Sequence, residues 1–593
     1  MGCRVFRVGV FFDGTGNNKF IDAKEGDGSA SNVAKLYELY NEHKGEVNIA
    51  GFSKPLYTAK IYKEGIGTKT RMSKGGRGGT AQRVKDRRFM DDKSEKGAGG
   101  DGAKRINEAI KEVFDLLDRH QPGTGTDAYC ERIIDVFGFS RGAAQARDFI
   151  NTFHDRNKRI FKLKKVKMGF VGIYDTVGSF GIAGNNNNMK PANPDTHSES
   201  DIGVAKFVKD YFSGSDEMGL SDHLNETAVM ETQEFGPYRS LEQADTIAKQ
   251  KQASLSATGA DWRIKVAPSL FGGMHAPPMY VVKCERHEPS FIPYNFHLAT
   301  GSAKKIVHMT ADSEVRKNFP LSSLLSVGVH EEYAFLGVHS DIGGGYADTE
   351  LEPHSYILKT FLGNSNWLGD LLHDAKKDVD QYVAAEKVKL QKSGDAAKGW
   401  KIKVEKETYI TRGKPDKYTV LVEKDRALGN DLAKITLNLM HEKALLADVP
   451  LKPLPQNKAH SIPDDLQDYF EYCKDDRNVK KSFYLEHKGF ADFSSAKSSP
   501  YFQALNEKYR HHSAVDPAEA HSHYDGHTGI INTLKNDSPD GSGGNDVRYV
   551  GRDPQGKEVV INARKNKGFK GELVAKREIY PNVSKKAIVP KVA

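Results

Sequence analysis

The spacing of apolar positions divides this chain into elements of two kinds. Arg4 to Phe12, RVFRVGVFF, is a nearly unbroken β-branched and aromatic run ending in the glycine turn Asp13, Gly14, Thr15, Gly16, which predicts a buried strand. In KRINEAIKEVFDLLDRH, Ile106, Ile110, Val113 and Leu117 recur at helical spacing, so this helix packs one face on a sheet. Ile133 to Phe139 predicts a second strand, Arg141 to Phe153 a second helix, and Val166 to Tyr174 a third strand closing at Asp175. Strand, helix, strand, helix, strand implies right-handed crossovers and a mostly parallel sheet.

Further along, MYVVKCE from Met279 and EEYAFLGVH from Glu331 read as later core strands. Lysine and glycine crowd the segment from Gly65 to Gly102, which predicts a basic loop, and the run Asn185 to Asn188 begins a polar excursion to Ser200. Beyond Gly345 the texture changes to amphipathic helices and two hairpin candidates. These are KIKVEKETYIT with KYTVLVEKD, and VRYVGRDPQGKEVVINA, whose period of two indicates antiparallel pairing. A catalytic-type α/β domain over residues 1–350, with an insertion at about 183–265, and an accessory α+β region over 351–593 is the simplest division.

Composition narrows the class. With 593 residues, 38% of them hydrophobic, the chain is long enough for a large core, and its longest apolar runs are strand-sized rather than the roughly 20 residues that span a bilayer. The start, MGCRVFRVGVFFDG, carries Arg4 and Arg7 inside its apolar stretch, a poor secretory signal. Phe6 stands where an acylation motif wants Ser or Thr. Synthesis in a cytoplasm without a signal peptide is the expectation. Cys3, Cys130, Cys284 and Cys473 form no CxxC pair, so neither a disulfide framework nor a thiolate zinc site is suggested. The net charge of +8 suits an anionic membrane surface as readily as nucleic acid, and no nucleic-acid motif accompanies it.

Candidate chemistry begins at IIDVFGFSRGAAQAR, where an apolar strand runs through Gly138, Phe139, Ser140, Arg141 and Gly142 into a helix. Small residues two before and two after a serine permit the sharp strand-to-helix bend of a nucleophile elbow, although an ordinary turn uses them as well. Ester hydrolysis needs a base, an acid to hold that base and donors for an oxyanion. Asp175 follows the next strand in VGIYDTVGSFG, and His339 follows a later one in AFLGVHSDIGGGY, which gives the chain order serine, acid, histidine. Asp175 also fits a turn cap, and His339 a structural histidine beside a glycine turn. His512 in KYRHHSAVD is the alternative base.

Asp13 and Gly14, after the first strand, are placed to add backbone N–H groups to that of Arg141 in an oxyanion hole. A phosphotransferase reading of Asp13 fails because those enzymes need a second aspartate two positions away, where Phe11 stands. A cation at Arg141 opposes the helix dipole and therefore wants a partner, either an internal carboxylate or a substrate phosphate. The histidines from His511 to His527 match no zinc signature, and no metal is assigned.

FFDGTGNN, YKEGIGT, GFSRGAAQAR, GIYDTVGSFG, ADSEVRKNFPL and GVHSDIGGGY, in this order over roughly residues 4–350, resemble the first group of type VI secretion lipase effectors, the Tle phospholipases. The resemblance implies an α/β-hydrolase-like fold, a mostly parallel sheet flanked by helices. It also implies glycerophospholipid hydrolysis, delivery on a secretion spike of the VgrG type into a rival cell's periplasm, and an immunity protein in the producer. Carried over by position, the nucleophile is Ser140, the acid Asp175 and the base His339.

The expected reaction is Ser-His-Asp hydrolysis of phospholipid acyl esters without metal or organic cofactor. Membrane access is expected of apolar loops such as PSLFGGMHAPPM, Pro268 to Met279, a stretch that equally fits packing on the core. A soluble carboxylesterase or thioesterase is the alternative enzyme. A non-catalytic binding or scaffold component of the spike is the alternative from another class.

Overall fold

The computed structural model describes residues 4–47, 56–68, 70–72, 81–83, 102–122, 129–158, 163–180, 189–191, 227–257, 261–268, 279–289, 291–314, 316, 319–324, 331–362, 375–394, 396–407, 417–479, 505, 508–511, 549–552, 558–561, 574–575, 577, 579–580 and 582. The strands of its central sheet, in chain order, are β1 (Arg4–Phe12), β2 (His43–Val47), β3 (Leu56–Lys63), β4 (Tyr129–Phe139), β5 (Val166–Tyr174), β6 (Lys305–Ala311) and β7 (Glu331–Phe335). They lie side by side as β7-β6-β5-β4-β1-β3-β2. All neighbours pair parallel except β2 with β3, which is antiparallel at the edge. The expected parallel α/β sheet is therefore present, with Arg4–Phe12 and Val166–Tyr174 at the expected bounds.

Alternate side chains of each strand go to opposite faces, and both faces are covered. On one, Val8, Val10, Phe12, Ile134 and Val136 pack against Ile106, Ile110, Val113 and Leu117 of the helix Gly102–Arg119 and against Phe149 and Phe153 of the helix Arg141–Arg156. On the other, Phe11, Phe137, Phe170 and Tyr174 pack against Leu36 and Leu39 of the helix Asn32–Leu39 and against Ile435, Leu437 and Met440 of the helix Leu432–Leu446. The core thus continues past residue 350. The division expected there does not divide the hydrophobic interior, because an apolar helix far along the chain closes one face of the sheet.

A buried ion pair fastens that helix. Arg7 Nε and Nη2 donate to Asp135 at 2.6 and 2.9 Å, while its Nη1 and Nη2 reach the carbonyls of Asp448 and Ala447 at 2.5 and 3.1 Å, just past the helix C-terminus. A cation at that end also complements the helix dipole. Asp135 further accepts from Tyr40 Oη at 3.0 Å and from the Phe170 N–H at 2.9 Å.

Among the described residues three three-stranded sheets sit outside this frame. Thr227–Tyr238, Asp261–Pro268 and Tyr280–Pro289 form an antiparallel sheet with the helix Leu241–Ser256 against it. MYVVKCE therefore belongs to this sheet and not to the central one, beyond the expected insertion bound of 265, a correction whose cause is that Lys283 and Glu285 take one face and Val282 and Cys284 the other. Both expected hairpins are present: Lys401–Glu407 pairs with Lys417–Leu428, and Tyr549–Arg552 with Glu558–Ile561. Cys130 is disulfide-bonded, against the expectation drawn from cysteine spacing, since distance along the chain does not bound distance in space. Cys284 and Cys473 are buried free thiols. Among the described residues no helix is long and apolar enough to cross a membrane. The loop expected between Gly65 and Gly102, the polar excursion at Asn185 and the apolar loop after Pro268 lie largely outside the described residues.

Arg7→Met leaves the Asp135 carboxylate buried without its cation and should cost about 3–5 kcal/mol in urea unfolding. Lys167→Met, which removes the exposed pair with Glu131 at 3.3 Å, should cost under about 1 kcal/mol. Similar losses in the two variants would contradict the role given to Arg7.

Candidate active site

β4 ends at Phe139, and Ser140 turns the chain with φ 59° and ψ −127°, a conformation sparsely populated by residues with a side chain. The two flanking glycines are there for space. A Cβ on Gly138 would lie 2.6 Å from the Gly142 carbonyl oxygen, and one on Gly142 would lie 2.3 Å from that of Asp13. Any larger residue pushes the helix off the strand or the elbow off the first loop. Ser140 N–H donates to the Tyr174 carbonyl at 3.0 Å, and its own carbonyl accepts from Val177 at 3.2 Å, so the bend is sewn to the end of β5.

Asp175 is the next residue of that neighbouring strand and has φ 37°, a second strained position beside the first. Its Oδ2 meets His339 Nδ1 at 2.5 Å. His339 opens the short helix His339–Gly343 beyond β7, and its ring is held between Phe139, centroids 4.7 Å apart, and the edge of Phe319, 4.9 Å apart. Ser140, Asp175 and His339 are thus gathered at the carboxyl ends of β4, β5 and β7, where parallel sheets place their sites. With the Nδ1 hydrogen on the carboxylate, Nε2 is the imidazole nitrogen left to take a proton.

The electrostatics favour that state. Burial opposes ionisation of Asp175, but Arg577 and His339 overcome it and hold the carboxyl well below the usual carboxylate range. Burial pushes the His339 imidazole down, against the pull of Asp175, so the ring is neutral near pH 7.

The first loop is built differently from expectation. Asp13 N–H continues the ladder to the Lys63 carbonyl at 3.0 Å, and Gly14 N–H is taken by Asp13 Oδ1 at 2.8 Å. Neither amide is directed to a reacting oxyanion as it stands, which corrects their proposed use. The Asp13 carboxyl accepts from Ser31 Oγ and Tyr62 Oη, each at 2.5 Å, and burial raises its pKa. Among the described residues Arg141 Nε donates to Thr15 Oγ1 at 2.7 Å, and burial lowers the guanidinium to about 10. Sequence reasoning named Asp13 and passed over Thr15, whose hydroxyl carried no signal of its own.

Residues 7–155 match the family described as T6SS, phospholipase effector Tle1-like, catalytic domain. Over this segment the chain is similar to Tle1-like catalytic domains. The segment holds β1 from Arg7 onward, the first loop and the whole elbow with Ser140, while Asp175 and His339 lie beyond the match. Among solved structures, the Tle1 effector bound to the VgrG spike from the type 6 secretion system is similar over 98% of this chain and 94% of its own, at 18% identity and a TM-score of 0.45. An uncharacterized protein from Pseudomonas aeruginosa is similar over 79% of this chain and 50% of its own, at 16% identity and a TM-score of 0.32. No curated protein matches the chain.

The alternative base, His512, lies outside the described residues, as does the histidine cluster after it. Its neighbour His511 is buried on the short helix of His339, with Nδ1 on Asp341 Oδ1 at 2.7 Å and its ring stacked on Tyr346 at 3.7 Å. Among the described residues no group of three or more His, Cys, Asp or Glu side chains is arranged to hold a metal ion.

Tyr62→Phe removes a donor from the buried Asp13 carboxyl and should lower stability by about 1–3 kcal/mol in urea unfolding while the turnover of a soluble ester is retained. Complete loss of turnover in a folded Tyr62→Phe protein would return Asp13 to the chemistry.

Proposed function

We propose that this protein is an antibacterial phospholipase that hydrolyses the acyl esters of glycerophospholipids through Ser140, His339 and Asp175. The observation carrying the reading is the 2.5 Å pair of His339 and Asp175 beside a strained serine elbow, in a chain whose first part is Tle1-like catalytic. Ser140 Oγ attacks the acyl carbonyl as its proton passes to His339 Nε2. Asp175 orients the ring and stabilises the imidazolium, which then protonates the departing lysolipid alkoxide. Water repeats the sequence to release the fatty acid.

The oxyanion takes the backbone N–H of Arg141, the residue after the nucleophile and the first of its helix. With Asp13 and Gly14 engaged elsewhere, the second donor we assign to the Thr15 N–H, in the loop that Arg141 anchors. Delivery by a VgrG-type spike into a target cell's periplasm, and an immunity protein in the producing cell, complete the reading. No cofactor enters it.

Ser140→Ala should reduce fatty-acid release from phosphatidylglycerol-containing vesicles by at least about 10³-fold. Preference for vesicles over a dispersed short-chain ester supports the phospholipase, and the reverse preference supports a soluble esterase. Equal growth inhibition by periplasm-targeted wild type and Ser140→Ala would assign the chain to a binding role. In a pH series, kcat/KM should rise as His339 loses its proton, with the acidic inflection below the ordinary imidazole value of about 6.5 because burial disfavours the cation. An inflection well above that value would contradict the geometry.

A further inference from the structure

Asp175 is shared. Besides His339, its carboxylate receives both terminal nitrogens of Arg577, Nη1 to Oδ1 and Nη2 to Oδ2, each at 2.8 Å. The Ala311 N–H adds a bond to Oδ1 at 2.8 Å. Arg577 comes from the far end of the chain and is buried, with Nε on the Phe319 carbonyl at 2.7 Å.

The chain just after it is held in place. Ile579–Tyr580 pairs parallel with Leu321–Ser322, and the Ser323 N–H donates to the Tyr580 carbonyl at 2.9 Å. Asn582 exchanges two hydrogen bonds of 2.9 Å with the backbone of Leu298, and its Oδ1 accepts from Arg147 of the elbow helix at 3.4 Å. A rigid planar fork set against both oxygens fixes the plane of a carboxylate, which a lysine ammonium does not do.

From this geometry we infer that Arg577 is a positioning residue of the active site, supplied by the C-terminal segment, which sets the plane of Asp175 and tempers the basicity of His339. The inference rests on the triad reading above. The fork leaves Oδ2 aimed at His339 Nδ1, and its charge offsets part of the carboxylate charge that would otherwise stabilise the imidazolium.

Other charges face His339. Glu314 Oε2 accepts from the His339 N–H at 3.3 Å and is itself paired with Arg316 at 2.8 Å. Asp341, on the same short helix, is turned to the Val338 N–H and to His511. Behind Asp175, His308 bonds Glu332 at 2.9 Å and the Thr176 N–H at 3.1 Å. Glu314 and Arg316 largely offset each other, and the Asp341 and Glu332 carboxylates are each bound to an imidazole, which among the described residues leaves Arg577 as the cation whose removal changes the balance on Asp175.

The test uses the full chain and a soluble ester, so that membrane binding plays no part. Arg577→Met should lower kcat at least tenfold with KM little changed, and move the acidic limb of kcat/KM to higher pH by about one unit, because the imidazolium is then stabilised by an uncompensated carboxylate. Arg577→Lys, which keeps the charge and loses the fork, should leave the limb near its wild-type position and recover part of kcat. Circular dichroism and thermal melting accompany each variant. If both variants lose activity only in proportion to lost folded protein, or Arg577→Met remains folded with its limb unmoved, Arg577 is structural and the inference fails. Ser140→Ala with wild-type turnover would instead defeat the underlying serine-hydrolase reading.

Discussion

Everything in the site turns on one buried carboxylate. Asp175 sits in a strained turn at the end of β5 and is reached by four donor atoms from three separate parts of the chain: His339 Nδ1, Arg577 Nη1 and Nη2, and the Ala311 N–H. Such a group is stable in the interior only while its donors are present, because an unpaired buried charge costs several kcal/mol. The carboxylate therefore obliges β5, β6, the loop after β7 and the C-terminal segment to meet at one place. An imidazole beside a serine elbow is what that meeting holds in place.

The same principle operates on a second scale through Arg7 and Asp135. That pair lies within the sheet and reaches the end of the helix Leu432–Leu446, so the later half of the chain is tied to the first strand by charge as well as by apolar contact. Two distant segments, the helix Leu432–Leu446 and the stretch around Arg577, thus serve the fold that the first strands begin. The matched family segment ends at residue 155, before either of them.

Much of the frame was legible because parallel strands buried on both faces leave unbroken apolar runs, as in Arg4–Phe12 and Val166–Tyr174. The elbow was legible because only small residues fit at Gly138 and Gly142. β6 was missed: KIVHMTA carries His308, whose burial depends on Glu332, a partner that local pattern does not disclose. MYVVKCE misled in the opposite sense, since a short apolar run does not state which sheet it joins. Arg577 had no signal at all, being one arginine in a polar tail whose meaning is a carboxylate 402 positions earlier. The amides of Asp13 and Gly14 were misjudged because donors are assigned by hydrogen-bond geometry, which turn composition alone does not fix.

The central claim is that one hydroxyl in this chain is made nucleophilic by the His339 and Asp175 pair. Reaction of the full-length protein with a fluorophosphonate, followed by peptide mass spectrometry, reads that directly. The account predicts a single adduct on the peptide containing Ser140, lost in Ser140→Ala and strongly slowed in His339→Ala. An adduct on another residue, or labelling that survives Ser140→Ala unchanged, would contradict it.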